Sequence, residues 1–413
     1  MSVDPKQAFD VAVVGAGAAG LVAALALARD GFETVLIGAP DQRRDGRTVA
    51  LLDGSVRFLK ALDVWPALAD KAAPLAVMQL IDDTGSLFRP PPVAFSATEI
   101  GLDAFGWNVE NGVLVSALAA AAADQDRLTM LSDQGVGYDV ASGRATLALE
   151  SSPSIRASLV VAADGRKSRL REQASIRTQS WAYPQTALTA ILEHARDHRD
   201  TSTEFHTRSG PFTLVPLPGR RSSLVWVMRP DAAERHAAFG DETLALAIER
   251  QAQSLLGRMR IDGPRGSVPL SGLSVERYHA ARLALVGEAA HVFPPIGAQG
   301  LNLGFRDVAA LRDALVDARD AGEDVDGALS RYERGREFDV RLRSAAVDGL
   351  NRTLLTDFVP LDFLRGVGLL AMAGIGPLRR AAMREGVMPS VDAPRLMRGK
   401  IRRETGRRAS GPS

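Results

Sequence analysis

The sequence predicts an α/β protein in which a doubly wound sheet is interrupted by an inserted strand-rich region and followed by helices. Three observations predict it. Phe9 to Val14 is an apolar run leading into Gly15-Ala16-Gly17-Ala18-Ala19-Gly20, a helical run Leu21 to Arg29 and a second short strand, Thr34 to Ile37. Glycines at that spacing allow a tight turn, close approach of a ligand to the backbone, and a helix N-terminus beneath a pyrophosphate. From about Ile176 to Leu273 the pattern changes to alternating strands, Thr186 to Leu192, Thr203 to His206, Phe212 to Pro216 and Ser223 to Met228. Beyond Leu301 the apolar spacing becomes helical, through Arg306 to Ala318 and onward.

Composition narrows the class. A chain of 413 residues is long enough for one large or two intertwined domains, and 46% hydrophobic with 24% charged residues is ordinary for a globular protein. A net charge of +1 provides no global attraction to nucleic acid, and none is expected as a partner. The absence of cysteine excludes disulfides, thiolate metal sites and a thiol nucleophile. Met1 to Asp10 is polar and does not read as a signal peptide, so a cytoplasmic location is expected. The apolar stretch Leu354 to Met383 is broken by Asp357, Asp362 and Arg365 and does not make a spanning helix.

The elements follow in order. The acid expected at the end of the second strand, to hold an adenosine ribose, falls at Gly38, leaving backbone, water or Asp41 for that contact. Asp45-Gly46-Arg47-Thr48-Val49-Ala50-Leu51 precedes a short helix, Ser55 to Leu62, which stops before Val64-Trp65-Pro66. Leu75 to Phe95 alternates around Asp82-Asp83-Thr84-Gly85, a hairpin signal that outweighs a metal reading of the paired acids. Asn111 opens an alanine-rich helix, Val113 to Ala123, either capping it or touching a cofactor. Val136 to Leu149 reads as a small meander, and Ser158 to Arg171 as a strand turning through Asp164-Gly165 into a helix. His206 sits on a predicted strand, where a hydrogen-bonded structural role outweighs catalysis. Thr243 to Leu256 is an amphipathic helix. Leu283 to Val286 is a buried strand ending in Gly287-Glu288, followed by Ala289-Ala290-His291-Val292-Phe293-Pro294-Pro295-Ile296-Gly297-Ala298-Gln299-Gly300 and a helix from about Leu301. A carboxylate before that turn and free helix amides after it suit a polyhydroxylated chain joined to an electron-poor ring.

Gly-Glu-Ala-Ala-His with Pro-Pro-x-Gly-Ala-Gln-Gly-Leu-Asn-Leu resembles the second flavin motif of the group A FAD-dependent aromatic hydroxylases, whose usual form begins Gly-Asp. Asp45-Gly46-Arg47 with Ala50-Leu51, Asn111, and Asp-Gly-x-x-Ser-x-x-Arg at 164–171 resemble further motifs of that family. Gly210-Pro211-Phe212-Thr213-Leu214-Val215-Pro216-Leu217 is similar to a segment of its ubiquinone-biosynthesis branch.

The resemblance implies a Rossmann-like FAD-binding domain of the para-hydroxybenzoate hydroxylase type with an inserted β-sheet substrate domain and C-terminal helices. The expected division is 1–74, 99–175 and 274–320 for the FAD fold and 75–98 and 176–273 for the substrate sheet. Helices follow over 321–394, and then a basic tail, 395–413, expected to be disordered. The implied FAD contacts are Gly15, Gly17, Ala18, Ala19, Gly20, Arg47, Thr48, Asn111, Asp164, Gly287, Glu288, Gly297, Ala298, Gly300, Leu301 and Asn302. Phe212, Pro294 and Pro295 are expected to wall the substrate from the flavin. No metal is implied and no catalytic acid or base is assigned.

The implied reaction is hydroxylation of an aromatic ring through C4a-hydroperoxyflavin, with O2 as co-substrate and NAD(P)H or a reductase as electron donor. The implied substrate is a prenylated phenol on the way to ubiquinone. A soluble aromatic acid or other phenol is the alternative substrate, and a flavin-binding assembly protein without monooxygenase activity the alternative class. The seven basic residues from Arg395 onward, against Glu404 alone, suit contact with an anionic membrane surface or a biosynthetic complex. Oligomeric state is not readable from the sequence.

Overall fold

The computed structural model describes residues 8–43, 45–85, 91–294, 298–354, 376–387 and 393–398. Its first sheet has eight strands and gathers segments from across the chain. Ala8–Val14 lies parallel between Thr34–Ile37 and Ile155–Ala162, with Leu128–Leu131 beyond the former and Leu283–Leu285 beyond the latter. Strands covered on both faces read as continuous apolar runs, as Val11 to Val14 and Leu159 to Ala162 do. The helix Ala18–Arg29 buries ten of its twelve residues, because alanine and leucine all round let it pack on the sheet and on the helix Gln299–Ala321 at once. Gly135–Ala141 and Arg144–Leu149 form the predicted meander along the edge of Ile155–Ala162.

The second sheet has nine strands. Thr178–His194, much longer than its sequence pattern suggested, runs antiparallel to Arg221–Met228 and Gly266–Val275. Gly210–Leu217 and Thr201–Thr207 extend the sheet, and Val77–Asp82 and Val93–Ser96 complete it. Side chains alternate across it. Leu188, Phe205, Phe212, Leu224 and Trp226 face the helices Pro230–Ala237 and Asp241–Gln251, while Ser223, Val225 and Val227 face the other way. His291–Val292, immediately after the Gly287-Glu288 turn, also pairs into this sheet through Gly266–Val275. A third, three-stranded sheet, Thr48–Leu52 with Gly106–Glu110 and Ala72–Pro74, packs against Gly210–Leu217 of the second sheet and touches the helix Gln299–Ala321; the strand at Gly106–Glu110 carried no clear sequence signal.

After Gln299–Ala321 comes the helix Val325–Leu354, and Gly376–Val387 returns to the second sheet, where Met383 and Val387 pack with Val93, Phe95 and Phe105. The expectation of a disordered tail from 395 is corrected at its start. Arg395–Met397 is a helical turn whose Met397 is buried in the main core and whose Arg395 reaches Asp313 at 3.1 Å and Asp317 at 2.9 Å. Residues 399–413 lie outside the described residues. No described helix is long and apolar enough to cross a membrane.

Candidate functional site

Three loops at the ends of the parallel strands converge, and their glycines divide into two kinds. Gly15 has φ +109°, and a Cβ there would lie 2.3 Å from the Ala163 carbonyl oxygen; one on Gly20 would lie 1.8 Å from that of Gly15. These two positions lock helix to strands. Gly17 faces open space, with nothing within 4 Å of its would-be Cβ, and the helix behind it starts with neither a side-chain cap nor an acid in its first turn. The amides of Ala18 and Ala19 are therefore free to take an anion. The missing acid at position 38 has a steric reason. Gly38 has φ +142°, and a Cβ there would meet the Ala16 nitrogen at 2.8 Å. Asp41, the neighbouring carboxylate, is exposed and bound to Arg43 at 2.8 Å.

The second loop leaves Leu283–Leu285 through Gly287, φ +61°, and presents Glu288 exposed. Its helix begins at Gln299 behind Ala298, a non-glycine residue in the left-handed region with φ 54°, and again has no side-chain cap and no acid in the first turn. Gly300 is open and Leu301 half-buried. Pro294 is buried; Pro295 and Gly297 lie outside the described residues. The side chain of Asn302 has another task than cofactor contact. It accepts from the Leu52 amide and the Ser55 hydroxyl and donates to the Ala50 and Ala298 carbonyls, at 2.6 to 2.9 Å. Its polar atoms clamp the helix start to the Thr48–Leu52 strand, leaving only its main chain for a ligand.

In the third loop Ser168 caps the helix Arg169–Gln173, and the buried Arg171 donates to the Ala289 and Arg166 carbonyls, both at 2.9 Å. The last residue of the Asp-Gly-x-x-Ser-x-x-Arg pattern thus ties the third loop to the second. Asp164 accepts from the Arg169 amide at 3.0 Å through one oxygen, while the other is buried without a partner. Burial holds this carboxyl above its ordinary range, against hydrogen bonds from Ser168 and the backbone.

Arg47 is exposed and held by Asp45, and with Gln42, Lys71, Glu110 and Ser116 it lines a cavity of about 470 Å³. Asn111 is the first residue of the helix Asn111–Ala123, which no side chain caps, so the capping alternative for it has no support. The Thr48 hydroxyl donates to Ser223 of the second sheet at 2.8 Å, and the buried Asn108 bonds both Ser223 and the Pro216 carbonyl. Neither Asn108 nor Ser223 stands out in the sequence, because a lone polar residue at a strand position reads as solvent-facing.

Phe212 requires a correction. It is fully buried on the helix-facing side, edge-on to Phe205 at 5.6 Å and Trp226 at 5.2 Å, and is a core residue rather than a wall of the site. Its strand neighbours Thr213 and Val215, paired with Val225 and Ser223, lie on the opposite face, where Ser223 meets Thr48 and the Thr213 hydroxyl donates to Glu204 at 3.2 Å. His206 bonds Glu204 at 2.8 Å. Asp82 accepts from the Thr84 amide and hydroxyl, as a turn residue does.

The donor set fits an FAD. Two uncapped helix starts, each beside an open glycine, an exposed carboxylate at Glu288 and an orphaned carboxylate oxygen at Asp164 converge where a dinucleotide would pass. Comparison with known proteins agrees. The model of the family described as "FAD binding domain" matches residues 8–341. The chain is 35% identical over 404 residues to the ubiquinone hydroxylase UbiL of Rhodospirillum rubrum, covering 94% of this chain and 92% of that one. It is 32% identical over 390 residues to the 3-demethoxyubiquinol 3-hydroxylase of Escherichia coli, covering 92% and 98%. Among solved structures, p-nitrophenol 4-monooxygenase of Pseudomonas putida superposes with a TM-score of 0.76 at 16% identity, covering 92% and 98% of the two chains. HpxO of Klebsiella pneumoniae, solved with FAD and uric acid, superposes with 0.73 at 19% identity, covering 92% and 97%. The chain therefore belongs to the FAD-dependent aromatic monooxygenases, in the family that includes the ubiquinone-biosynthesis hydroxylases.

Proposed function

We propose that this protein hydroxylates the ring of a prenylated phenol in ubiquinone biosynthesis, with O2 as co-substrate and electrons from NAD(P)H or a reductase. The FAD supplies the activated oxygen. The chain's own residues bind, orient and exclude water. The amides of Ala18 and Ala19 take the pyrophosphate, Glu288 a ribitol hydroxyl, and the amides after Gly300 the polar edge of the ring, where preorganised donors stabilise charge at no reorganisation cost.

One observation supports a neutral phenol over a soluble aromatic acid. On the face turned away from the helices Thr213, Val215, Ser223, Val225 and Val227 are uncharged, Glu204 beside Thr213 is an acid bonded to His206 and to the Thr213 hydroxyl, and Arg221 is neutralised by Glu110 and Asp262, both at 2.8 Å. A carboxylate substrate would want a free guanidinium there. The basic residues of the tail beyond Arg398 supply attraction to the anionic membrane that would hold a prenylated substrate.

The test is mass spectrometry of quinone intermediates in cells with and without the gene, beside an absorbance spectrum of the purified protein. A yellow protein whose loss accumulates an under-hydroxylated prenylphenol is expected. A yellow protein whose loss leaves quinones intact moves the substrate to soluble aromatics, and flavin that reduces but oxygenates no phenol favours an assembly role.

A further inference from the structure

Behind the second loop lies a buried charged cluster that the reaction does not use. Asp307, on Gln299–Ala321, has no exposed surface. One of its oxygens accepts from the Gly287 amide at 2.9 Å and from His291 Nε2 at 2.7 Å, and the other accepts from Arg336 Nε at 2.7 Å. Arg336 comes from Val325–Leu354 and also pairs with Asp339 at 2.5 Å, which Arg306 meets at 2.9 Å. Two carboxylates and two guanidiniums cancel, so the cluster can stay buried. Four residues before Arg336, the Tyr332 hydroxyl donates to the Leu285 carbonyl at 2.7 Å, on the strand that enters the same loop.

The residue this cluster grips is the hinge of the loop. Gly287 has φ +61°; a Cβ on it would meet the Ala19 Cβ at 3.2 Å, and a Cβ on Gly304 would meet the Gly287 Cα at 3.2 Å. Gly287 is thus the contact point of the first loop's helix, the second loop and the helix Gln299–Ala321, and it immediately precedes Glu288. A left-handed glycine has little conformational preference of its own, so its orientation depends on what its amide is bonded to.

We propose that Asp307, with His291 and Arg336 fixing its two oxygens, is the positioning residue of the flavin turn, and that the helix Val325–Leu354 thereby sets flavin affinity. None of the three touches the substrate, and the inference rests on the FAD part of the functional reading, not on the identity of the phenol. Asp307→Asn can satisfy the Gly287 amide or Arg336 but not His291 and both together. Arg336→Lys keeps the charge and loses the fork that spans Asp307 and Asp339.

The experiment titrates FAD into apoprotein by flavin fluorescence, with apoprotein Tm recorded in parallel and Arg331→Ala, an ion-pair change on the same helix, as control. Asp307→Asn is expected to weaken FAD binding at least thirtyfold and Arg336→Lys at least fivefold, with the midpoint potential of the bound flavin shifted and the control within twofold. If Asp307→Asn does not fold, Arg336→Lys decides. A variant set whose apoprotein Tm falls while FAD affinity and potential stay at the parent values makes the cluster structural only and overturns the proposal. A protein that binds FAD as expected in these titrations but oxygenates no phenol refutes the hydroxylase reading and leaves this one standing.

Discussion

The cofactor loops and the substrate sheet recognise by different means. The loops use main chain: Gly15 and Gly20 close a gap no side chain could enter, and the helix starts at Ala18 and Gln299 leave amides bare. The sheet uses side chains, and which of them count depends on which face each presents. Phe212 and Thr213 are adjacent in sequence and opposite in use, one in a core under two helices and the other on the far face of the sheet, bonded to Glu204. A backbone site tolerates no substitution at its locking positions, whereas a side-chain face can be retuned one residue at a time.

The sharpest break of that comparison is within one loop. Gly20→Ala is expected to give no soluble, flavin-binding protein, because its Cβ would sit 1.8 Å from a carbonyl oxygen; Gly17→Ala should fold with an apoprotein Tm close to the parent and lose only FAD affinity. Expression yield and flavin titration separate them, and a Gly17→Ala protein that fails to fold would count against the division into locked and open glycines.

Next in size, Phe212→Ala should cost about 3–5 kcal/mol of stability by denaturant titration, the usual range for an aromatic removed from a packed core. Val225→Ala, on the face turned away from the helices, should cost less and should raise KM for the phenol, so that the two faces sort by readout.

Two carboxylates whose pKa values are shifted in opposite directions sharpen it further. Burial holds Asp164 above its ordinary range, so its contribution to apoprotein stability is present below 3.8 and is lost as pH rises through its higher folded value. For Asp307, burial is outweighed by the His291 and Arg336 charges, so its contribution is present above 3.8 and is lost as pH falls through its lower folded value. Asp164→Asn should therefore raise apoprotein Tm near neutrality while weakening FAD, and Asp307→Asn should lower both; melts across pH 3 to 7, a range on the order of the carboxylate window, check the signs.

The smallest effect expected is at the seam between the regions. Ser223→Ala removes the acceptor of the Thr48 hydroxyl and a partner of Asn108, and should cost about 1–2 kcal/mol with FAD affinity unchanged, read by the same denaturant titration.

Legibility follows the same division. Four of the parallel strands and the three loops could be read because tight turns demand glycine at given spacings, and the alternating strands because sheets repeat every two residues; the parallel strand Leu128–Leu131 and the order of the sheet could not. Asn302 and Arg171 stood inside quoted motifs, yet their roles as ties between loops did not show, since a motif reports residue type and not direction. Arg336 stands in the polar run Tyr332-Glu333-Arg334-Gly335-Arg336, where an arginine reads as solvent-facing. Its partner Asp307 is 29 residues away, and nothing local marks the pair.

The sequence by itself determined the nucleotide-type fold, the inserted sheet and the places where backbone must meet ligand, because those depend on local sterics and periodicity. Only the tertiary structure decided which side of the sheet faces the helices, why position 38 must be glycine, and that a helix beyond residue 325 grips the turn before Glu288. Each of these is set by atoms brought together from distant parts of the chain, and such contacts leave no periodic trace in the residues that make them.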